Sequence, residues 1–177
     1  NASSVGVHSA ILNLDDPSTA GIDKQTLNTV IAAEQFTAAN NYSAEHSGTI
    51  GRNQVTSYFF NVPANTPAFK VDMVGGGTTP GAGQIRFLRF HPYGVHIDPN
   101  SSLDCYTPVV VGCNNQNPLS RTQSQPQTGV WEVTVEARRT SDTLNAPFTL
   151  TMAILGASVS PNPDTIASAT IGVPIAR

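Results

Sequence analysis

The stretch that decides the fold is residues 129–136, Gly-Val-Trp-Glu-Val-Thr-Val-Glu, in which apolar and polar side chains alternate. Successive side chains of a β-strand point to opposite faces, so this period of two predicts a strand whose core face carries Trp131 and the valines two and four residues later. The same period recurs at residues 148–152, Phe-Thr-Leu-Thr-Met, after a polar turn. We expect the two runs to form a hairpin or neighbouring antiparallel strands with one face in water.

Further strands are predicted on both sides of this pair. Residues 55–62, Val-Thr-Ser-Tyr-Phe-Phe-Asn-Val, are β-branched and aromatic, and they end at a proline that cannot donate to a neighbouring strand. Alternation also predicts strands at 69–73 and 85–90, and the short apolar runs 157–159 and 169–175 are candidate edge strands. Several strands at short spacing, joined by Gly, Pro and Asn loops, predict an all-β antiparallel sandwich. Periodicity does not distinguish a jelly roll from another Greek key.

The first fifty residues have a different pattern. Residues 5–14 predict a strand, whereas the apolar residues between Ile22 and Ala39 recur at roughly helical spacing and predict one short helix. We therefore expect a segment at 1–48, a strand and a helix that pack on the sandwich, and the β-sandwich domain at 49–177.

Charge and hydropathy exclude two classes of partner. Nine Lys and Arg against twelve Asp and Glu give a net charge of −3, so no basic surface is expected for a nucleic acid. No apolar run approaches the roughly 20 residues that span a bilayer, so no membrane association is expected. The sequence begins at Asn1 without the pattern of a signal peptide, and we interpret it as a mature or excised soluble piece.

The two cysteines indicate an oxidising compartment. Cys105 and Cys113 enclose seven residues, including a Pro and a Gly, and a disulfide there would contribute roughly 2 to 3 kcal/mol in the chain-entropy model. A pair of buried free thiols is the alternative, and a zinc site is disfavoured because Cys-x-x-Cys spacing and further ligands are absent. We predict the disulfide and a secreted, extracellular protein.

No complete catalytic site is predicted, although Ser, His and Asp are all present. A nucleophilic serine needs a tight turn, a positioned histidine and an oxyanion hole, and no Gly-x-Ser-x-Gly motif occurs. The stretch His-Ser-Gly-Thr at 46–49 is a poor match to the His-Gly-Thr around a protease histidine, because Ser47 separates the His from the Gly. We therefore expect that the chain carries no catalytic residue and is not itself an enzyme.

Metal binding has few candidates. His91 and His96 are five residues apart on a turn, a spacing that does not place two imidazoles on one side, so solvent-facing loop residues are expected. Calcium accepts varied oxygen ligands, so a site made from Asp98, Asp104 and loop carbonyls is chemically feasible, but no Asp-x-Asp-x-Asp loop is present. The Asp-Asp-Pro at 15–17 is typical of a turn. We expect no cofactor, and calcium is the one metal left open.

Aromatic side chains raise the question of sugar binding. The single tryptophan shares its strand parity with valines, so we predict that Trp131 packs in the core instead of forming a ligand platform. The other candidates for stacking on a sugar are Tyr42, Tyr58, Tyr93 and Tyr106.

A family resemblance covers about residues 50–155. The motifs that carry it are, in order, Tyr-Phe-Phe-Asn-Val-Pro-Ala-Asn-Thr at 58–66, Phe-x-Val-x-Met at 69–73, Ile-Arg-Phe at 85–87 with His-Pro-Tyr-Gly at 91–94, and Gly-Val-Trp-Glu-Val-x-Val at 129–135. This series resembles the jelly-roll accessory domains of secreted subtilisin-like serine proteases, which are similar to the P domains of the kexin branch. Residues 6–17 also resemble a linker strand that large actinobacterial-type subtilases place after the catalytic domain.

The resemblance implies a jelly-roll-like sandwich and an accessory function. The family's catalytic Asp, His and Ser motifs have no counterpart here, so the chain would be a noncatalytic part of a larger protease. Such domains brace the protease, aid its folding, or bind substrate or a surface. The implied partner is the catalytic domain of the parent protease or another extracellular protein. A free-standing extracellular binding module, for carbohydrate or protein, and a protease inhibitor remain alternatives.

Overall fold

Strands dominate the part of the chain that the structure describes, residues 4–77, 80–98 and 120–156 of a computed structural model. Its elements are β1 (Gly6–Leu14), β2 (Lys24–Ala32), β3 (Glu34–Gln35), a 3₁₀ helix (Ala38–Asn40), β4 (Ser43–Gly51), β5 (Val55–Val62), β6 (Ala68–Gly75), β7 (Ile85–Phe90), β8 (Ser120–Ser124), β9 (Gly129–Ala137) and β10 (Asn145–Leu155). They form one two-stranded sheet, β1-β2, and two four-stranded sheets, β4-β10-β6-β8 and β3-β5-β9-β7. No helix in these ranges is long and apolar enough to cross a membrane.

The two larger sheets pack face to face, which confirms the predicted all-β sandwich. Aromatic rings interlock between them: the ring of Phe69 on β6 meets Phe60 on β5 at 5.3 Å and Trp131 on β9 at 4.7 Å between centroids, both edge to face. Such pairs add stability beyond the area they bury. Successive strands from β4 to β10 alternate between the two sheets. The finer prediction of a jelly roll stays a prediction.

The buried face of β9 is the one that the alternation indicates. Trp131 is only 2% exposed, and its indole Nε1 donates a hydrogen bond to the carbonyl oxygen of Gln127 at 2.7 Å. Val133 and Val135 are fully buried beside it. The predicted core position of Trp131 is confirmed.

The predicted pairing of residues 129–136 with residues 148–152 is wrong. β9 pairs with β5 and β7, whereas β10 pairs with β4 and β6 in the other sheet. The two strands present their apolar faces to a common core from opposite sides. Alternation shows which face of a strand is buried, but the inner faces of both sheets of a sandwich have the same pattern, so it does not show the sheet to which a strand belongs.

The predicted helix between Ile22 and Ala39 is also wrong. Residues 24–32 form β2, which pairs antiparallel with β1 in a register that runs from Gly6 opposite Ala32 to Leu14 opposite Lys24. β-Branched residues are frequent in β2, and their restricted side-chain torsions favour an extended backbone. Helical structure in this region is limited to the single turn Ala38–Asn40. We call the β1-β2 pair the ribbon.

Sheet strands lie on both sides of the boundary predicted at residue 48. β3 and β4 belong to the two larger sheets, and β4 crosses that boundary. Within the described ranges, β1 and β2 pair only with each other. The division into 1–48 and 49–177 stays a prediction. The candidate edge strands at 157–159 and 169–175 lie outside the described residues.

Candidate functional site

A cavity of about 270 Å³ lies where the ribbon meets the sandwich. Its walls come from the start of the ribbon and from the edge of the sandwich formed by β3, β4 and β5. The lining residues are Val5, Gly6, Glu34, His46, Ser57, Tyr58 and Phe59. This cavity brings a carboxylate, an imidazole and a phenol together, so it is the candidate functional site of the described residues.

Strand parity directs the three polar side chains toward one another. Glu34 on β3 lies opposite Phe60 of β5, whose side chain is in the core. His46 on β4 shares its parity with the buried Ile50, and Tyr58 on β5 shares its parity with Phe60. Because β3 and β4 are edge strands of different sheets, the cluster closes one open side of the sandwich.

The three side chains make close contacts. Nε2 of His46 lies 2.5 Å from Oε1 of Glu34, with the two side chains 27% and 16% exposed. The two atoms are close, but Nε2 of His46 has no hydrogen-bond partner of good geometry. The His46 ring stacks on Tyr58 with centroids 4.3 Å apart. Burial, and then the negative charge of Glu34, raise the pKa of the Tyr58 hydroxyl above its ordinary value.

Among the residues that the structure describes, no serine hydroxyl bonds the His46 imidazole as acyl transfer would require. Ser57 contributes to the cavity wall, but it is exposed and follows the opposite strand parity from Tyr58. Ser47, next to the histidine in sequence, uses its hydroxyl to bond Oγ1 of Thr149 on β10 at 2.8 Å. Among the described residues, Glu34 and His46 therefore supply a carboxylate and an imidazole, with no activated nucleophile beside them. The arrangement fits a structural contact between the two sheets.

A second polar cluster closes the opposite side of the sandwich, between β7 and β8. Asp98 is 3% exposed, and its carboxylate accepts hydrogen bonds from Nη2 and the backbone N of Arg89 at 2.7 and 2.8 Å. Nη1 of Arg121 lies 2.9 Å from the same carboxylate and donates to the carbonyl oxygen of Phe87 at 3.1 Å. The Arg121 guanidinium also stacks over the Phe87 ring at 4.3 Å. This cluster joins the two sheets by charge.

The two candidate metal-binding histidines lie in and just after the turn that follows β7. The backbone N of Gly94 donates to the carbonyl oxygen of His91 at 2.8 Å, which closes the predicted four-residue turn. Nδ1 of His91 bonds the backbone N of Tyr93, and Nδ1 of His96 bonds the backbone oxygen of Asp98. The described residues contain no group of three or more His, Cys, Asp or Glu that could hold a metal ion.

Of the two aspartates proposed for calcium, the structure describes one. Both carboxylate oxygens of Asp98 contact guanidinium groups, while Asp104 lies outside the described residues. The calcium hypothesis therefore stays a prediction, as does the disulfide, because Cys105 and Cys113 also lie outside the described residues.

The Asp-Asp-Pro stretch forms the turn between β1 and β2. Oδ1 of Asp16 accepts hydrogen bonds from the hydroxyl and the backbone N of Ser18 at 2.7 and 2.9 Å, and these bonds, in that order, hold the pKa of Asp16 below its ordinary value. Oδ2 of Asp23 accepts from the backbone N of Asp16 across the turn. The turn interpretation of these residues is confirmed.

The aromatic residues that the structure describes do not gather on one exposed face. Trp131 is buried, Tyr42 packs against the core, and Tyr58 is half-buried under His46. Among the large hydrophobic residues that the structure describes as exposed, Tyr93 at the turn after β7 is the one aromatic. Tyr106 lies outside the described residues. This distribution counts against a flat stacking platform for sugars.

Sequence reasoning missed the residues that close the two sides of the sandwich. Glu34, Arg89 and Arg121 are charged, yet each lies on or beside a core-facing parity, and Arg89 follows Ile85 and Phe87 in alternation. A charged residue in a buried register needs a partner of opposite charge. From the sequence, this rule indicates that Arg89 needs a buried acidic partner, but it does not indicate which acidic residue that is.

Two sequence matches relate the chain to proteases. Residues 1–32 match the model of a family described as an Ig-like domain in actinomycete serine proteases. Over 128 residues, or 72% of this chain, the sequence is 30% identical to pyrolysin of Pyrococcus furiosus, and the chain spans 8% of the length of pyrolysin. Together the two matches support an accessory region of subtilisin-like proteases.

One solved structure shares the fold. The crystal structure of tripeptidyl peptidase 2 aligns with a TM-score of 0.58 at 14% identity, covering 86% of this chain and 13% of that one. At this identity the likeness shows the fold alone. A periplasmic inhibitor of g-type lysozyme from Aeromonas hydrophila aligns with a TM-score of 0.41 at 16% identity, covering 64% of this chain and 86% of the inhibitor. A TM-score that low supports no inference about function.

Proposed function

We propose that this chain is a noncatalytic accessory region of a secreted subtilisin-like serine protease, where it supports the folding, the stability or the surface binding of the catalytic domain. The observation that carries the proposal is the similarity to pyrolysin over 128 residues, because it runs through most of the chain and corresponds to a small share of that protease. The match of residues 1–32 to a domain of actinomycete serine proteases is independent support.

The geometry of the polar clusters agrees with a supporting role. The imidazole of His46 lies between Glu34 and Tyr58, and the hydroxyl of the neighbouring Ser47 points to β10. The Arg89, Asp98 and Arg121 cluster is buried, so its charged groups are not placed to contact a substrate. Both clusters connect one sheet with the other, as a rigid module that braces a larger protein requires.

The extracellular location and the catalytic domain as partner belong to the same proposal. They follow from the protease similarity and from the cysteine pair, which an oxidising compartment would allow to form a disulfide. No single described feature favours a carbohydrate-binding module or a protease inhibitor over this reading.

Comparison of two gene products tests the proposal. One is the polypeptide that the complete gene encodes, and the other lacks residues 34–156, the described strands of the two larger sheets. We expect the deletion to lower the yield of folded protease or to shorten its half-life at elevated temperature several-fold, while kcat of the molecules that do fold stays the same.

Three results would contradict the proposal. One is a gene without a subtilisin-type catalytic sequence. Another is a deletion that leaves yield, half-life and binding to surfaces unchanged. The third is stoichiometric labelling of a serine in the 177-residue chain by a fluorophosphonate probe, because a noncatalytic region has no activated serine to label.

A further inference from the structure

The ribbon exposes an apolar face that a strand pair of a finished domain would cover. In the register of β1 and β2, Val7 lies opposite Ile31 and Ile11 lies opposite Leu27, so these four side chains project from the same side. We call them the apolar ribbon face. They are 53%, 45%, 61% and 67% exposed, in that order. Four large apolar side chains exposed on one face of a strand pair point to an interaction surface.

The middle of the ribbon is built to hold its register. Ser9 lies opposite Thr29 between the two apolar pairs, and their hydroxyls bond at 2.9 Å. The amide of Gln25 donates to Oδ1 of Asn13 at 3.0 Å further along the same face. A two-stranded hairpin by itself is marginally stable in water, so a ribbon with nine paired positions and a fixed register is expected to have further strands or a covering sheet.

The family match points to the kind of domain to which the ribbon belongs. Residues 1–32 match an Ig-like domain, and β2 ends at Ala32, two residues before the first strand of the sandwich. An Ig-like domain needs about seven strands in two sheets, and the ribbon supplies two. Within the described ranges, no further strand pairs with either edge of the ribbon. The match and the ribbon therefore end together, with most of an Ig-like domain unaccounted for.

We infer that the ribbon is one strand pair of an Ig-like domain, and that the apolar ribbon face docks against the opposing sheet of that domain, supplied by the parent polypeptide beyond the 177 residues. A second copy of this chain would offer only another two-stranded ribbon, which is still less than one sheet of the matched fold. The inference rests on the proposed function in that it requires a longer parent polypeptide.

Hydrogen exchange provides the test. Amide exchange in residues 4–32 is measured by mass spectrometry in the 177-residue chain and in the full gene product. We expect the ribbon amides to exchange at least about tenfold more slowly in the full gene product, because exchange there requires opening of a packed domain. Equal exchange in the two proteins would overturn the inference, and so would a gene that encodes nothing beyond the 177 residues.

A matched pair of substitutions locates the protected face. Leu27→Asp places a charge on the apolar ribbon face, and Val74→Asp places one on β6 of the sandwich at a residue that is 72% exposed, against 67% for Leu27. In the full gene product, Leu27→Asp should abolish most of the extra protection of residues 4–32, and Val74→Asp should leave it unchanged. Loss of protection with both variants, or with neither, would overturn the inference.

Two further measurements exclude other occupants of the face. If light scattering shows a dimer of the 177-residue chain, and its ribbon is as protected as in the full gene product, a second copy covers the face and the inference is wrong. If the 177-residue chain loses ribbon protection when it is shortened to end at Gly156, its own last residues cover the face, and the inference is wrong again.

The outcomes separate this inference from the proposed function. A protected ribbon in a gene product that lacks a subtilisin-type catalytic sequence would support the docking and refute the protease role. An unprotected ribbon in a gene product that has such a sequence would do the reverse.

Discussion

Replacing Asp98 with Asn tests whether its carboxylate compensates the two buried guanidinium charges between β7 and β8. The substitution keeps the shape of the side chain but removes the negative charge between Arg89 and Arg121, whose own side chains are 8% and 9% exposed. Removing one partner of a buried ion pair typically costs about 3 to 5 kcal/mol, because it leaves an uncompensated charge. About 1 kcal/mol shifts the Tm of a domain of this size by roughly 2 to 4 °C, so Asp98→Asn should lower the Tm by roughly 6 to 20 °C.

The control is the same substitution in an exposed ion pair. Asp72 on β6 lies 3.0 Å from Nζ of Lys70, with both side chains more than one-third exposed. An exposed pair contributes about 0 to 1 kcal/mol, so Asp72→Asn should lower the Tm by less than about 4 °C. Calorimetry and urea unfolding followed by circular dichroism measure both variants. If Asp98→Asn falls within about 2 °C of Asp72→Asn, Asp98 does not compensate the guanidinium charges as the structure indicates.

Three further predictions concern other parts of the chain. Trp131→Ala should cost roughly 3 to 5 kcal/mol in unfolding free energy because its ring is buried, while Tyr93→Ala at an exposed turn should stay within about 0.5 kcal/mol, as urea unfolding followed by circular dichroism can show. Cys105 and Cys113 should react with an alkylating reagent only after reduction, and the intact mass of the unreduced protein would contradict the disulfide if it gained two labels. Because the pKa of the Tyr58 hydroxyl is raised in the folded protein, the unfolded chain loses that proton first, so stability should decline as the pH rises above about 10; Tyr58→Phe should reduce the decline in the urea midpoint between pH 8 and 11.

Local alternation predicted the strands well, because side-chain parity is a property of a few consecutive residues. The strand predicted at 55–62 is β5 with the same limits, and the strand at 85–90 is β7. The predicted partner of β9 was wrong, because the pairing of distant strands depends on the whole sandwich. β8, Ser120–Ser124, was missed because its sequence, Ser-Arg-Thr-Gln-Ser, is polar throughout and it lies at a sheet edge.

The ribbon shows a different limit of sequence patterns. Leu27, Val30 and Ile31 are spaced as on one face of a helix, yet in β2 Leu27 and Ile31 point to one side and Val30 to the other. Strand and helix periods coincide over such a short run. A strand that carries exposed apolar side chains on both of its faces has the same spacing of apolar residues as one face of a helix. The exposed apolar residues of β2 therefore explain the wrong helix prediction, and they are also the basis of the inferred docking.

The candidate site was the least predictable part, because its contacts join residues far apart in sequence. Glu34 and His46 belong to edge strands of different sheets, and Arg121 reaches Asp98 across the sandwich from β8. Parity alone places Arg89 in the core register, and a charge there is costly without a counter-charge. The sequence therefore requires a buried carboxylate but offers several, including Asp98, Asp104 and Asp142. In the structure, Asp98 is the partner of Arg89. The loop after β7 turns back, and the backbone N of Ile97 donates to the carbonyl oxygen of Arg89 at 3.0 Å. This bond places the next residue, Asp98, beside the Arg89 side chain.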